Sequence, residues 1–339
     1  MKKIAIIGVG GVARYAHLPS YKSNDIEVVA LCDINKNLLE EVGKEFQIKK
    51  LYQDVDTMMN EVDIDIVDIA TPPQTHLELI EKLIPYKKHI VMQKPLITDP
   101  KELGIVKLAI DRSDSFKLNM TGRYVDSWRK IKTLLDSKKY GNPLLCTITN
   151  NDWWDREPNK WDLNIDGYIV FEMLIHHLDL CLFWFGTPKK LTARGGYNPA
   201  QNIKKHNWIS VMLEYKNGLI VQIIENWSMS EYEFSSGHPY EDILITLDNG
   251  AIKANSECVM ASKLGKNSID IWHYPRPGQV LPGENLKSNW FVDSFGLAMK
   301  DYIANYEKNK DSDKKYAALL TELTFKAYES LKSDIWVNV

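Results

Sequence analysis

Lys3-Ile4-Ala5-Ile6-Ile7-Gly8-Val9-Gly10-Gly11-Val12-Ala13 stands almost at the start of the chain, after Met1-Lys2. A continuous apolar run that stops at a glycine predicts a strand covered on both faces, because a half-solvated strand would alternate. Gly8-x-Gly10-x-x-Ala13 then leads into the helical pattern Val12–Tyr21. The first glycine permits a tight turn and the second lets backbone approach a pyrophosphate. The small third residue packs helix against strand, and the helix N-terminus offers N–H groups to the anion. Gly8, Gly10, Gly11, Val12 and Ala13 are therefore expected to line a nucleotide. Two lysines before an apolar run also open a signal peptide, but Arg14 and the glycines cut this run short of the roughly 20 residues a bilayer needs.

Asp33 ends the next predicted strand, Glu27–Cys32, at 33 − 13 = 20 residues after Ala13. A carboxylate there accepts hydrogen bonds from a ribose and repels a 2′-phosphate, so the expected cofactor is NAD, with NADP disfavoured. Farther on, Ile64–Ala70 precedes the helical pattern Gln74–Ile84, and Ile90–Met92 precedes Pro100–Ser113. Strands alternating with helices predict β-α-β units and a doubly wound parallel sheet, a Rossmann dinucleotide-binding domain over 1–122. Asn35 and Asp99 read as helix N-caps, with Pro100 at a first helical position. Thr71-Pro72 and Gln93-Lys94 fall at strand ends, the edge where such sheets bind ligands.

The chain of 339 residues suits two domains at roughly 150 residues each. All ten tryptophans lie at Trp128 or later, so the remainder is built differently. Residues 123–339 read as an α+β domain with a large, mostly antiparallel open sheet. Asn217-Gly218 and Asn249-Gly250 mark hairpins, helices run near Ile169–Phe185, Phe291–Tyr306 and Lys314–Ser330, and a short strand closes the chain. The charged run Lys308–Asp313 reads as a loop between the last two helices. A formal charge of −3 argues against nucleic acid or a membrane surface as partner. The four cysteines are far apart in sequence, which suits a reducing cytosol and offers no thiolate metal site.

Glu172, His176 and Asp179 share one face of an otherwise apolar helix. Acids and a histidine on a buried helix need partners or a function. A structural ion-pair cluster explains them as well; a metal site lacks a visible third ligand. His177, about 100° around the helix, reads as structural. Trp153, Trp154 and Trp161, with Asp152, Asp155 and Arg156, suit a hydroxyl-rich ring, and equally suit core or subunit contacts.

These motifs, taken in order, resemble the Gfo/Idh/MocA oxidoreductases. The likeness runs through Gly8-x-Gly10-x-x-Ala13, Asp33, Thr71-Pro72-x-x-x-His76 and Lys94-Pro95. It continues through Asn119-Met120-Thr121-Gly122-Arg123, Asp166-Gly167 and Glu172-x-x-x-His176-x-x-Asp179. The resemblance implies NAD(P)-dependent oxidation of a sugar or polyol hydroxyl, or the reverse reduction. It puts Lys94 and His176 in the catalytic positions with Glu172 beside them, and Thr71, Pro72, His76, Gln93 and Lys94 near the cofactor. Arg123, Trp153, Trp154, Arg156, Glu172 and His176, with Lys94, are the expected substrate contacts. Gln93 replaces the family's usual glutamate, removing an anion beside Lys94, and Glu172 replaces its usual aspartate. An NAD-retaining glycosidase and a non-catalytic sensor are the alternatives within the same fold. The open sheet needs covering, so a homodimer or homotetramer is expected.

Overall fold

Every residue of β1 (Ile4–Ile7) is buried, as its unbroken apolar run predicts. A computed structural model describes residues 2–155, 165, 167–229, 240–273, 284–285 and 292–339. In the first unit, β1 is joined by β2 (Val28–Cys32), β3 (Leu51–Tyr52), β4 (Ile66–Ile69), β5 (His89–Gln93) and β6 (Ser115–Asn119). All neighbours are parallel, in the order β3-β2-β1-β4-β5-β6. The order reverses between β1 and β4, so their carboxyl ends flank the crevice where such sheets take ligands.

The connecting helices are α1 (Leu18–Ser23), α2 (Lys36–Phe46), α3 (Val55–Glu61), α4 (His76–Leu83) and α5 (Leu103–Arg112). A π-helical turn, Ala13–His17, leads into α1. Asn35 caps α2 by accepting from the Leu38 N–H at 3.2 Å. Asp99 accepts from the Lys101 N–H at 2.9 Å, with Pro100 opening the turn that leads into α5. β3, α3 and β6 are additions to the sequence reading.

The second unit contains α6 (Asp126–Asp136), α7 (Ile175–Phe185), which follows a π-helical turn at Val170–Leu174, and a ten-stranded sheet. Its strands are β7 (Pro143–Asn151), β8 (Lys190–Gly196), β9 (Trp208–Glu214), β10 (Ile220–Asn226), β11 (Tyr240–Leu247), β12 (Gly250–Asn255), β13 (Cys258–Lys263), β14 (Ile269–His273), β15 (Glu284–Asn285) and β16 (Val337–Asn338). Neighbours are antiparallel except β7 with β10 and β14 with β15. Both expected hairpins form, β9–β10 at Asn217-Gly218 and β11–β12 at Asn249-Gly250.

The chain ends differ from expectation. A single 41-residue helix, α8 (Asp293–Ser333), replaces the two closing helices. Lys308–Asp313 contains neither glycine nor proline, so its charged side chains are solvated along a continuous helix without breaking it. The units are Met1–Thr121 with Trp290–Glu322, and Gly122–Asn289 with Leu323–Val339. The first unit therefore reclaims a C-terminal stretch that a linear split into 1–122 and 123–339 gives to the second. Among the described residues no helix is long and apolar enough to cross a membrane.

Candidate active site

Gly8 has φ +87°, and a Cβ there would stand 2.7 Å from Thr71 Cγ2 and 3.0 Å from the Ala70 carbonyl carbon. Glycine is thus demanded twice, by backbone conformation and by the close approach of the loop after β4. Gly10 and Gly11 differ: a Cβ on either would meet nothing within 4 Å. Their smallness answers no contact inside the protein and leaves open room at the start of a helix, whose first backbone bond runs from the Arg14 N–H to the Gly10 carbonyl at 2.9 Å. First-turn N–H groups there have no intrahelical acceptor and suit an anion. Ala13 is fully buried, as its packing role requires.

Asp33 lies at the end of β2, half-buried. Its Oδ2 accepts from the Val9 N–H and its Oδ1 from the Asn35 N–H, each at 2.8 Å. Each carboxylate oxygen has a second acceptor site, so the group can still take ribose hydroxyls. The open glycines, the helix start and this carboxylate together fit a dinucleotide. Thr71 is half-buried and Pro72 exposed at the neighbouring strand end.

Two expected cofactor contacts turn inward instead. His76 is fully buried, with Nδ1 2.9 Å from the Leu96 carbonyl oxygen and Nε2 2.9 Å from that of Thr71. It ties the loop after β4 to the loop after β5. Burial pushes its pKa below the usual imidazole value, against the pull of these carbonyls. Gln93 is likewise buried, its Oε1 accepting from the Lys94 N–H at 2.7 Å and its Nε2 lying 3.2 Å from His17 Nε2. The side chains of both residues serve the loops and are not available to a ligand. Lys94 itself is half-buried.

On the second unit, the helix that carries the acids and histidine is buried throughout from Gly167 to Leu182 except at Glu172 and His176. Those two share the accessible stripe. Glu172 lies within the π-helical turn Val170–Leu174; such turns recur at functional sites. Asp179 is buried and accepts from Arg123 Nε at 2.9 and 3.1 Å. Arg123 also lies over the Phe183 ring. This ion pair gives Arg123 and Asp179 a structural task, and the Arg123 side chain stays partly exposed beside it.

His177 is structural, as expected, and sits among acids that sequence reading missed. Its Nδ1 is 2.6 Å from Glu225 Oε1, and its Nε2 is 3.9 Å from Glu241 Oε1, all fully enclosed. Burial lowers the His177 pKa, but the Glu225 carboxylate outweighs it and the net direction is up. Burial raises the Glu241 carboxyl to about 8. Strand parity carried the signal: Glu225 follows inward-facing Val221 and Ile223, and Glu241 precedes inward-facing Ile243 and Ile245.

Trp153 and Trp154 are half-buried. Trp154 packs on Trp227 with ring centroids 4.4 Å apart, and Trp227 Nε1 donates to Asn150 Oδ1 at 3.1 Å. Trp154 thus contributes to packing in its own unit. Arg156, Trp161 and Asp166 lie outside the described residues.

A parallel sheet of this order, with a glycine loop and an acid at the second strand end, defines a dinucleotide-binding domain. Residues 2–116 match the model of the oxidoreductase family with an NAD-binding Rossmann fold, and 128–253 match the GFO/IDH/MocA C-terminal domain. The chain belongs to the Gfo/Idh/MocA oxidoreductase family. An inositol 2-dehydrogenase of Rhizobium meliloti is 22% identical over 315 residues, covering 91% of this chain and 90% of the relative. A myo-inositol 2-dehydrogenase of Thermotoga maritima is 23% identical over 238 residues, covering 68% and 70%. A levoglucosan dehydrogenase solved with NADH and levoglucosan superimposes with TM-score 0.82 at 18% identity, covering 100% of this chain and 99% of that one.

Proposed function

We propose that the protein oxidises a hydroxyl of a sugar, sugar derivative or polyol, or reduces the corresponding ketone, using NAD in preference to NADP. The observation that carries this reading is the helix from Gly167 to Leu182, buried at every position except Glu172 and His176. A carboxylate and an imidazole left accessible on an otherwise buried helix suit acid–base work on an alcohol. The names of the inositol and levoglucosan dehydrogenases support the substrate class.

Nicotinamide, when bound, supplies the hydride chemistry. The protein's part is to hold the hydroxyl and move its proton. His176 takes the hydroxyl proton, a general-base task that falls most often to an imidazole. Lys94, half-buried at the end of β5, stabilises the charge that develops on oxygen. Glu172 orients His176 or takes a neighbouring hydroxyl. Asp33 selects NAD by accepting from the ribose and repelling a 2′-phosphate.

A panel of inositols, sugars, sugar phosphates and their keto forms, followed by NADH absorbance, tests the reaction class. Net NADH formation from an alcohol supports it. Sugar release without net NADH would replace it with a glycosidase that retains NAD, and cofactor binding without any turnover would replace it with a sensor.

The same unit supports a homo-oligomer. Leu145, Met212 and Leu244 are exposed on the open sheet, on β7, β9 and β11. A second copy covering this face would remove them from water, and light scattering reads the outcome. Leu244→Lys is expected to shift the mass toward the monomer, and an unchanged mass would place the contact elsewhere.

A further inference from the structure

His17, Asp68 and Gln93 form a buried polar line that ends on the Lys94 backbone. His17 and Asp68 are fully buried, and Gln93 nearly so. The Lys94 N–H can only donate, so the Gln93 atom facing it at 2.7 Å is Oε1. Nε2 must then face His17 Nε2, at 3.2 Å. An amide nitrogen also only donates, so His17 Nε2 accepts and its ring proton resides on Nδ1. That Nδ1–H meets Asp68 Oδ2 at 2.7 Å, where the Tyr21 hydroxyl also donates at 2.7 Å. The Phe295 ring lies against the imidazole at 4.9 Å between centroids. Every donor and acceptor direction is fixed by the peptide N–H at one end and the carboxylate at the other.

We propose that His17 is a positioning residue for Lys94, acting through the Gln93 side-chain amide, with Asp68 holding the imidazole. The consequence for turnover rests on the oxidoreductase reading above; the relay itself does not. The same geometry explains why glutamine occupies position 93. A glutamate would present an acceptor to His17 Nε2, which is itself an acceptor in this tautomer, and would demand a second ring proton. Glutamine completes the line with the ring carrying one. His17 closes the π-helical turn that follows the glycine loop, so the segment that starts the cofactor helix also sets the loop bearing Lys94.

Nitrogen-15 NMR of histidine-labelled full-length protein reads the tautomer. The expected result is an Nδ1–H imidazole for His17 in the wild type and a doubly protonated ring in Gln93→Glu. An Nε2–H tautomer in the wild type would overturn the relay. Hydrogen exchange at the Lys94 amide tests the coupling: His17→Leu should accelerate it by about fivefold or more, the equivalent of one hydrogen bond. In a Gln93→Met background the same change should add nothing. Acceleration of equal size in both backgrounds, or none in either, would overturn the proposal. If His17→Leu does not fold, the tautomer measurement decides. On an alcohol that the protein oxidises, His17→Leu should lower kcat by roughly tenfold, with KM for NAD little changed, and should add little to Lys94→Ala. A wild type that oxidises no alcohol refutes the reaction class and leaves the NMR and exchange results to judge the relay.

Discussion

The Val9 N–H donates to Asp33 Oδ2 at 2.8 Å, joining the glycine loop after β1 to the end of β2. One carboxylate thus shapes the loop and, in the function proposed above, chooses the ribose. Asp33→Ser removes the charge and is too short to hold Val9 in the same way. The ratio of kcat/KM for NAD over NADP is expected to fall by roughly 10- to 100-fold, the size of a charge-assisted hydrogen bond. A wild type that prefers NADP would contradict the role given to Asp33.

Gly8 and Gly10 should separate stability from binding. Gly8→Ala meets Thr71 at a positive φ and should cost about 1–2 kcal/mol or more in urea unfolding. Gly10→Ala meets no protein atom within 4 Å, so stability should hold within about 0.5 kcal/mol. Its methyl enters the nucleotide's space, and NADH affinity by fluorescence titration should drop by roughly tenfold or more. Equal effects of the two changes on both quantities would undo this distinction.

His176→Ala is expected to lower kcat by about 10²–10⁴-fold, the usual size of a general-base contribution. NADH binding should stay close to wild type, because the glycine loop and Asp33 lie in the other unit. Lys94→Ala should act similarly, and the double variant should lose far less than the product of the singles if the pair works on one hydroxyl. Near-normal kcat in His176→Ala would remove the histidine from the reaction.

Glu241 predicts a pH dependence of stability. Its folded carboxyl is raised to about 8 from the usual 4.5, so the native state holds a proton that the unfolded chain releases. Stability from this group is full below about pH 4.5 and is lost as pH rises toward 8. His177, also raised, acts in the same direction over its own window. Glu241→Gln should flatten the fall in unfolding free energy between pH 6 and 9 and gain about 1–3 kcal/mol at its alkaline end. An identical slope in wild type and variant would contradict the buried, proton-holding carboxyl.

Much of the first unit was legible because a parallel strand covered on both faces is written as an unbroken apolar run. β1 and the loop after it leave little choice. β3 spans only Leu51–Tyr52 and β6 mixes Ser115, Lys117 and Asn119 with apolar residues, so neither shows a clear run. The charged run Lys308–Asp313 resembles a loop, but it carries no glycine or proline to stop α8, and charge alone does not end a helix. At the site, the sequence puts Gln93 at a strand end and the resemblance puts His76 near the cofactor, but direction is a tertiary property, and both side chains bond inward. Glu225 and Glu241 were hidden among inward-facing isoleucines and valine, visible only once strand parity was assigned.

Transfer of a deuterium label bears most directly on hydride chemistry at an alcohol. A polyol or sugar deuterated at the reacting carbinol carbon is incubated with NAD and the protein, and the reduced cofactor is weighed by mass spectrometry. The prediction is one deuterium per NADH formed, a matching yield of ketone, and loss of this transfer in His176→Ala. Labelled alcohol returned intact beside bound NAD, across inositols and sugars alike, would contradict the proposed function.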